Sequence, residues 1–287
     1  MKKMGIYAKG LTTSFIILIA ASLSGFGQVI DLSGYQEPFN VKGIAIYHLD
    51  SDSLYHEKQH VVVAEIKKNT LSKYLPAIAY SDSVLLKTSR FGQDAKAIVA
   101  LNGSFFNVQK GGSVAYLEAD GKIIARNRNS KEKWAKTDSL LNGAIVIDYR
   151  GNIKIEVAKP ESFYEQSDKE KAVLISGPAL LADGQKLPLE NSEFVKKRHP
   201  RSCLCETGNK SLLFIAIDGR SEVASGMNLK EVQQFLLRLN CRDAINLDGG
   251  GSTTLWINDG IRKGIINLPS DKEGERPVAN IILIKEK

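Results

Sequence analysis

Apolar and β-branched residues recur along this chain in short runs broken by Gly, Asn and Asp, and that rhythm predicts strands. Such runs cover 41–49, 60–66, 97–101, 113–118, 143–149, 153–157, 202–207, 212–218, 244–247, 255–258 and 278–284. Asp120-Gly121, Arg150-Gly151-Asn152, Gly208-Asn209 and Asp259-Gly260 lie between neighbouring runs and predict hairpin turns. One segment has helical spacing. Asn228 and Glu231 form a capping-box pair, and Leu229, Val232, Phe235, Leu236 and Leu239 then fall on one face. This helix joins the 212–218 and 244–247 runs, which predicts a crossover between parallel strands. The charged stretches 160–172 and 190–197 are expected to form shorter surface helices. The fold class is therefore α+β, with a mixed, mainly antiparallel sheet or sheets and a few helices.

The first 27 residues change the picture of where the chain works. Lys2, Lys3 and Lys9 precede an apolar stretch over 11–23, and Gly25-Phe26-Gly27 offers small residues for cleavage, the pattern of a secretion signal. The apolar stretch is short for a membrane span, so a secreted, periplasmic or cell-surface protein with no stable span after signal removal is expected. Residues 28–96 read as a β-rich part of the same domain as 97–287, without a motif of their own. The formal net charge of +7 drops to +4 without the three leader lysines, and no basic block is interleaved with aromatics, which speaks against a nucleic-acid partner. The three cysteines, Cys203, Cys205 and Cys241, read as buried thiols, with a bridge from Cys241 to either of the others left open. The four histidines have no zinc-type spacing with cysteine, and no metal ligands are assigned.

The candidate chemistry lies where apolar strands end in bursts of polar residues and glycine. These are Leu101 to Asn107, Ser176-Gly177-Pro178, Ile217 to Arg220, and Asn246 to Thr253, which reads Asn-Leu-Asp-Gly-Gly-Gly-Ser-Thr. In the last of these, Asn246 and Asp248 are two apart on a strand and leave the same face. Gly249, Gly250 and Gly251 open the backbone to a ligand, and Ser252 and Thr253 add hydroxyl groups. Arg201 and Arg276 stand at the mouths of strands, where a guanidinium fork matches phosphate or carboxylate geometry; Arg276 has structural pairing with a carboxylate as its alternative. Phe105 and Phe106 exceed what a plain turn needs. At least one of them is expected to pack in the core, and Phe105 is the first candidate to offer an open ring face to a ligand.

The ordered segments Asn-Gly-Ser-Phe-Phe (102–106), Arg-His-Pro-Arg-Ser (198–202), Ile-Asp-Gly-Arg (217–220), Gly-Met-Asn-Leu (226–229), Asn-Leu-Asp-Gly-Gly-Gly-Ser (246–252) and Glu-Arg-Pro-Val-Ala-Asn (275–280) resemble the phosphodiester glycosidase family over about residues 97–287. The resemblance implies hydrolysis of a sugar-1-phosphodiester to free sugar and phosphomonoester. It carries the polar cleft onto Asn102, Arg201, Asp218, Asn246, Asp248, Ser252 and Thr253, with Arg220 at the end of its own motif. Cys203 and Cys205 depart from the aliphatic or small residues expected in that strand.

On this reading the Gly249–Ser252 turn and Arg201 receive the phosphate, and Asp248 or Asp218 is the nucleophile or the base that activates water. Asn246 and Asn102 hold sugar hydroxyls or orient a carboxylate. The substrate is a glycosyl phosphate, with cell-wall or capsular polysaccharide as a candidate source. No cofactor is assigned, and a divalent cation is left open. Two rivals stand beside it: a metal-dependent phosphodiesterase, and a non-catalytic cell-surface glycan-binding module.

Overall fold

The computed structural model describes residues 29–39, 41–128, 131 and 135–287, so the expected leader over 1–27 lies outside the described residues. Three sheets carry the fold. The largest has eight strands, in the order Gln36–Glu37, Ile44–Ser51, Gln59–Ile66, Leu212–Ile217, Arg201–Thr207, Cys241–Asn246, Ala179–Ala182 and Gln185–Lys186. One five-stranded sheet runs Lys122–Ala125, Leu117–Ala119, Glu170–Ser176, Gly143–Asp148 and Ile153–Val157. The other runs Lys263–Ile265, Leu255–Asn258, Ala97–Asn102, Asn280–Glu286 and Tyr74–Tyr80.

The four turn dipeptides do join paired strands, as their flanking runs predict. The helix Leu229–Arg238 starts in a complete capping box, with the Asn228 side chain and Glu231 each satisfying the other's backbone N–H. Its buried face, Leu229, Val232, Phe235 and Leu236, covers one side of the eight-stranded sheet together with Val63, Ile215 and Cys205. The opposite side, through Ile46, Ala64, Leu204 and Phe214, meets apolar residues of both smaller sheets, among them Leu101, Leu255, Ile145 and Leu174. The core is therefore a wide central sheet with a helix on one face and two smaller sheets on the other, which confirms the α+β class.

Two expectations change. The sheets are not mixed, because every pairing between named strands is antiparallel. The helical crossover does join strands pointing the same way. However, Arg201–Thr207 lies between Leu212–Ile217 and Cys241–Asn246 and pairs with both, so the two share no hydrogen bonds. Only Glu161–Glu165 is helical within 160–172; the chain then enters the strand Glu170–Ser176, whose apolar end is buried. The second charged stretch keeps a single turn, Glu193–Lys196. The 113–118 run yields the strand Leu117–Ala119, and Val114 instead donates its N–H to Phe105 O.

Antiparallel pairing of Arg201–Thr207 with Cys241–Asn246 brings Cys205 beside Cys241, and the two form a disulfide with Cα atoms 5.8 Å apart. The reading of three buried thiols therefore holds only for Cys203, whose thiol burial pushes up to about 12, leaving it protonated and unreactive. The bridge spans 36 residues of sequence. Its removal in Cys205→Ser/Cys241→Ser should cost about 3–4 kcal/mol, read as a fall in Tm that reducing agent reproduces in the native chain.

Candidate active site

Asp248 follows the strand Cys241–Asn246, and its backbone is clamped by the end of a strand in another sheet. Its N–H donates to Gly103 O at 2.9 Å, and its carbonyl accepts Asn102 Nδ2 at 2.6 Å. Asn102 Oδ1 accepts Ser202 Oγ at 2.6 Å and Thr254 N–H at 3.1 Å. Asn280 joins through Ser104 N–H, which donates to its Oδ1 at 2.6 Å. Four of the six ordered motifs are thus tied to one another around the peptide of Asp248. Asp248 as a residue is half-buried, in tightly packed surroundings. Burial raises its carboxyl above the usual carboxylate range. The Ser252 hydroxyl, the Lys136 charge, the Gly249 N–H and Arg276 act against that rise without cancelling it. Ser252 Oγ is near enough to act on the carboxylate, yet it stays outside hydrogen-bond geometry and is itself buried without a partner.

Cationic groups collect around this carboxylate. The Asp248 charge reaches the Arg201 guanidinium, while Arg276 and Lys136 reach Asp248. Arg220 adopts a left-handed backbone (φ 61°), and its guanidinium lies over Gly250, where an added methyl group would sit 3.1 Å from both terminal nitrogens. Arg220 Nη2 is 3.1 Å from His199 Nδ1. Burial, with Arg201, Arg220 and Lys197 nearby, lowers the pKa of that imidazole.

Several expected roles need correction. Arg201 is 1% exposed, and its guanidinium donates to the carbonyls of Met227, Phe194 and Lys197, so it does not offer the expected free two-pronged phosphate clamp. Burial also pushes its pKa down to about 10. Arg276 pairs in two-pronged fashion with Asp271 at 2.8 and 3.0 Å, the structural alternative, and this pair packs onto Gly251. Asp218 is 1% exposed. It accepts Asn267 Nδ2 at 2.8 Å and Leu268 N–H at 2.9 Å, and its Oδ2 lies 2.5 Å from His60 Nδ1. With both oxygens engaged in the interior, it is not placed to attack a substrate. Asn102 and Asn246 are buried, so neither reaches a sugar. Asn246 Nδ2 donates to Gly177 O and Leu247 O, and its Oδ1 has no protein partner. Phe105 is 2% exposed, with Phe194 edge-on at 6.0 Å and Lys136 Nζ 4.9 Å from its centroid, so it supports Lys136 and leaves no ring face open.

The glycine turn is also less of an N–H cradle than its composition suggests. Gly250–Ser252 forms a single 3-10 turn. Gly250 N–H donates to Pro200 O, Ser252 N–H to Gly249 O, and Thr253 N–H to Gly250 O. The hydroxyls of Thr253 and Thr254 are buried without partners. Positive charge at this site therefore comes chiefly from side chains.

Sequence reasoning missed His60, Lys136, Asn267 and Asp271. His60 is the second residue of the strand Gln59–Ile66, close to the polar-residue-at-a-strand-mouth signal that marked Arg201. Asn267, Lys136 and Asp271 lie in irregular segments with no local pattern. Among the described residues, no group of three or more His, Cys, Asp or Glu side chains is arranged to hold a metal ion. No helix among them is long and apolar enough to cross a membrane.

A family profile described as phosphodiester glycosidase matches residues 95–285. The N-acetylglucosamine-1-phosphodiester alpha-N-acetylglucosaminidase of Mus musculus is 27% identical over 181 residues, covering 60% of this chain and 33% of the relative. The chain thus spans about a third of the length of that curated relative. Among solved structures, the zebrafish N-acetylglucosamine-1-phosphodiester alpha-N-acetylglucosaminidase catalytic domain, auto-inhibited by its pro-peptide, superposes with a TM-score of 0.65 at 22% identity, covering 91% of this chain and 87% of that one. A hypothetical protein from Synechocystis gives a TM-score of 0.65 at 15% identity, covering 86% of this chain and 63% of that one. At those identities the likeness is one of fold.

Proposed function

This chain belongs to the phosphodiester glycosidase family, and we propose that it hydrolyses a glycosyl phosphodiester by breaking the bond between the sugar's anomeric carbon and the phosphate oxygen. Water adds its hydroxyl to the anomeric carbon, and the phosphate leaves on its other alcohol as a monoester. The observation that carries this reading is Asp248, a half-buried residue at the entry to the glycine turn whose carboxyl pKa is raised by burial and acted on by the charges of Lys136, Arg276 and Arg201. Arg220 lies over the adjoining turn.

A phosphate leaving group needs little protonation, so stabilising the developing negative charge matters more than a strong general acid. Arg220, exposed and facing Gly250, is the cation with the freedom to meet the phosphate. Ionised Asp248 serves as nucleophile or as the base that activates water on the sugar side. Asp218 and Asn102 act behind it, fixing the backbone that carries it. The printed names of the relatives make an N-acetylglucosamine 1-phosphodiester the first substrate to try. Cell-wall or capsular polysaccharide is the proposed natural source. Export is part of the proposal, supported by the leader-like pattern over 1–27 and by the Cys205–Cys241 disulfide, which suits an oxidising compartment.

Turnover in oxygen-18 water tests the bond broken. The label should appear on the sugar's anomeric hydroxyl. Label in the phosphate, with loss of activity on adding chelator, would transfer the site to metal-dependent phosphodiesterase chemistry.

A further inference from the structure

We propose that His60, which lies ahead of the segment matched to the family, is a positioning residue that holds the turn behind Asp248 through a chain of side-chain hydrogen bonds. The inference rests on the reading of that turn as the reacting loop. Three side chains carry the hydrogen-bond chain: His60, Asp218 and Asn267. His60 Nδ1 lies 2.5 Å from Asp218 Oδ2, and His60 O accepts the Asp218 N–H at 3.0 Å. Asp218 Oδ1 accepts Asn267 Nδ2 at 2.8 Å. Asn267 Nδ2 also donates to Thr253 O at 3.1 Å, and its Oδ1 accepts Leu255 N–H at 2.7 Å. Asn267 thus grips the backbone on both sides of Thr254, at the exit of the Gly250–Ser252 turn. Leu268 N–H donates to Asp218 as well, so the same carboxylate also holds the backbone just after Asn267.

The chain ends on a group that titrates. Asp218 faces His60 from one side, and the exposed Asp50 carboxylate lies 3.8 Å from Nε2. The His48 ring is 5.7 Å away, centroid to centroid, with Glu37 at its own Nε2 and Arg262 beyond Glu37. The hydrogen bond to Asp218 raises the His60 pKa against the opposing effect of burial, whereas burial lowers that of His48. The neighbouring rings therefore split, with His60 the one that keeps its proton. A neutral His60 still donates from Nδ1 to the Asp218 carboxylate but loses the attraction between the two charges that adds to that hydrogen bond. Because the folded value is raised, the stabilisation is fully present below about pH 6.5 and is lost as pH rises through the His60 pKa.

His60→Ala removes the donor, and His60→Asn restores a non-titrating amide near the Nδ1 position. Amide hydrogen exchange reads the turn directly and needs no substrate. At pH 6, His60→Ala should lose about 10-fold in protection at Thr253, Leu255 and Leu268, with the Asn280–Glu286 strand unchanged. His60→Asn should restore protection to within about 3-fold of the parent chain. In turnover, His60→Ala should lower kcat more than it moves KM, and the fall in kcat as pH rises through the raised His60 pKa should be missing in His60→Asn. Unchanged protection at Thr253 and Leu255, or equal loss across all strands, would overturn the inference. If the parent chain turns over no glycosyl phosphodiester, the proposed function fails, and the exchange pattern alone decides the role of His60.

Discussion

Asp248→Asn should lower kcat on a glycosyl phosphodiester by roughly 10²–10⁴-fold while leaving Tm at pH 7 equal or higher. Loss of turnover follows because the amide neither attacks carbon nor takes a proton from water. The stability follows from linkage. The folded pKa of Asp248 is raised, with burial as the main cause, so the charged form is less favourable in the fold than in the unfolded chain. That penalty is absent below the unfolded value near 4 and grows with pH until the carboxyl ionises in the fold. The neutral amide avoids it. The same shift predicts that the acid limb of kcat in the parent chain lies above the ordinary carboxylate range, because only ionised Asp248 reacts. The measurements are kcat against pH and a melting curve for each variant. Near-normal turnover in Asp248→Asn, or a Tm several degrees lower at pH 7, would remove Asp248 from the proposed role.

Gly249→Ala is the second large effect expected, and it separates position from chemistry. Gly249 has φ −126° and ψ −156°, an extended backbone that alanine adopts freely. The objection is contact: its methyl group would lie 2.6 Å from Pro200 O, the carbonyl that accepts the Gly250 N–H. A backbone carbonyl cannot swing aside as a side-chain tip does, so the turn or the start of the Arg201–Thr207 strand must move. Overpacking of this kind costs about 1–3 kcal/mol. A displacement near 1 Å at the reacting groups can cost about 10²-fold in rate. We expect both losses in Gly249→Ala, and neither in Gly264→Ala, where nothing lies within 4 Å of the added methyl group. Equal kcat/KM in the two variants would show that the turn does not position Asp248.

The candidate site and the framework differ in how they are encoded. Strand runs, hairpin dipeptides and the capped helix were legible because each depends on neighbours in sequence: alternation, a turn residue, or a side chain reaching three residues ahead. The ordered motifs likewise located Asp248 and its glycines. Their ties could not be read, since Asn102 to Asp248 and Asp218 to Asn267 span 146 and 49 residues. Arg201 shows the difficulty clearly. A guanidinium at a strand mouth looks the same in sequence whether it meets a phosphate or three backbone carbonyls, and burial makes the choice here.

From residue order alone follow the α+β class, the family and the stretch that carries Asp248 and its glycines, because local periodicity and a compact motif suffice for each. Which side chains stay open to solvent and which brace the glycine turn emerged only once the sheets had packed. The Cys205–Cys241 bridge, the engagement of both Asp218 oxygens and the arrival of His60 and Lys136 are of this second kind. Each depends on distances between segments far apart in the chain, set by strand register and by the exclusion of water from the core.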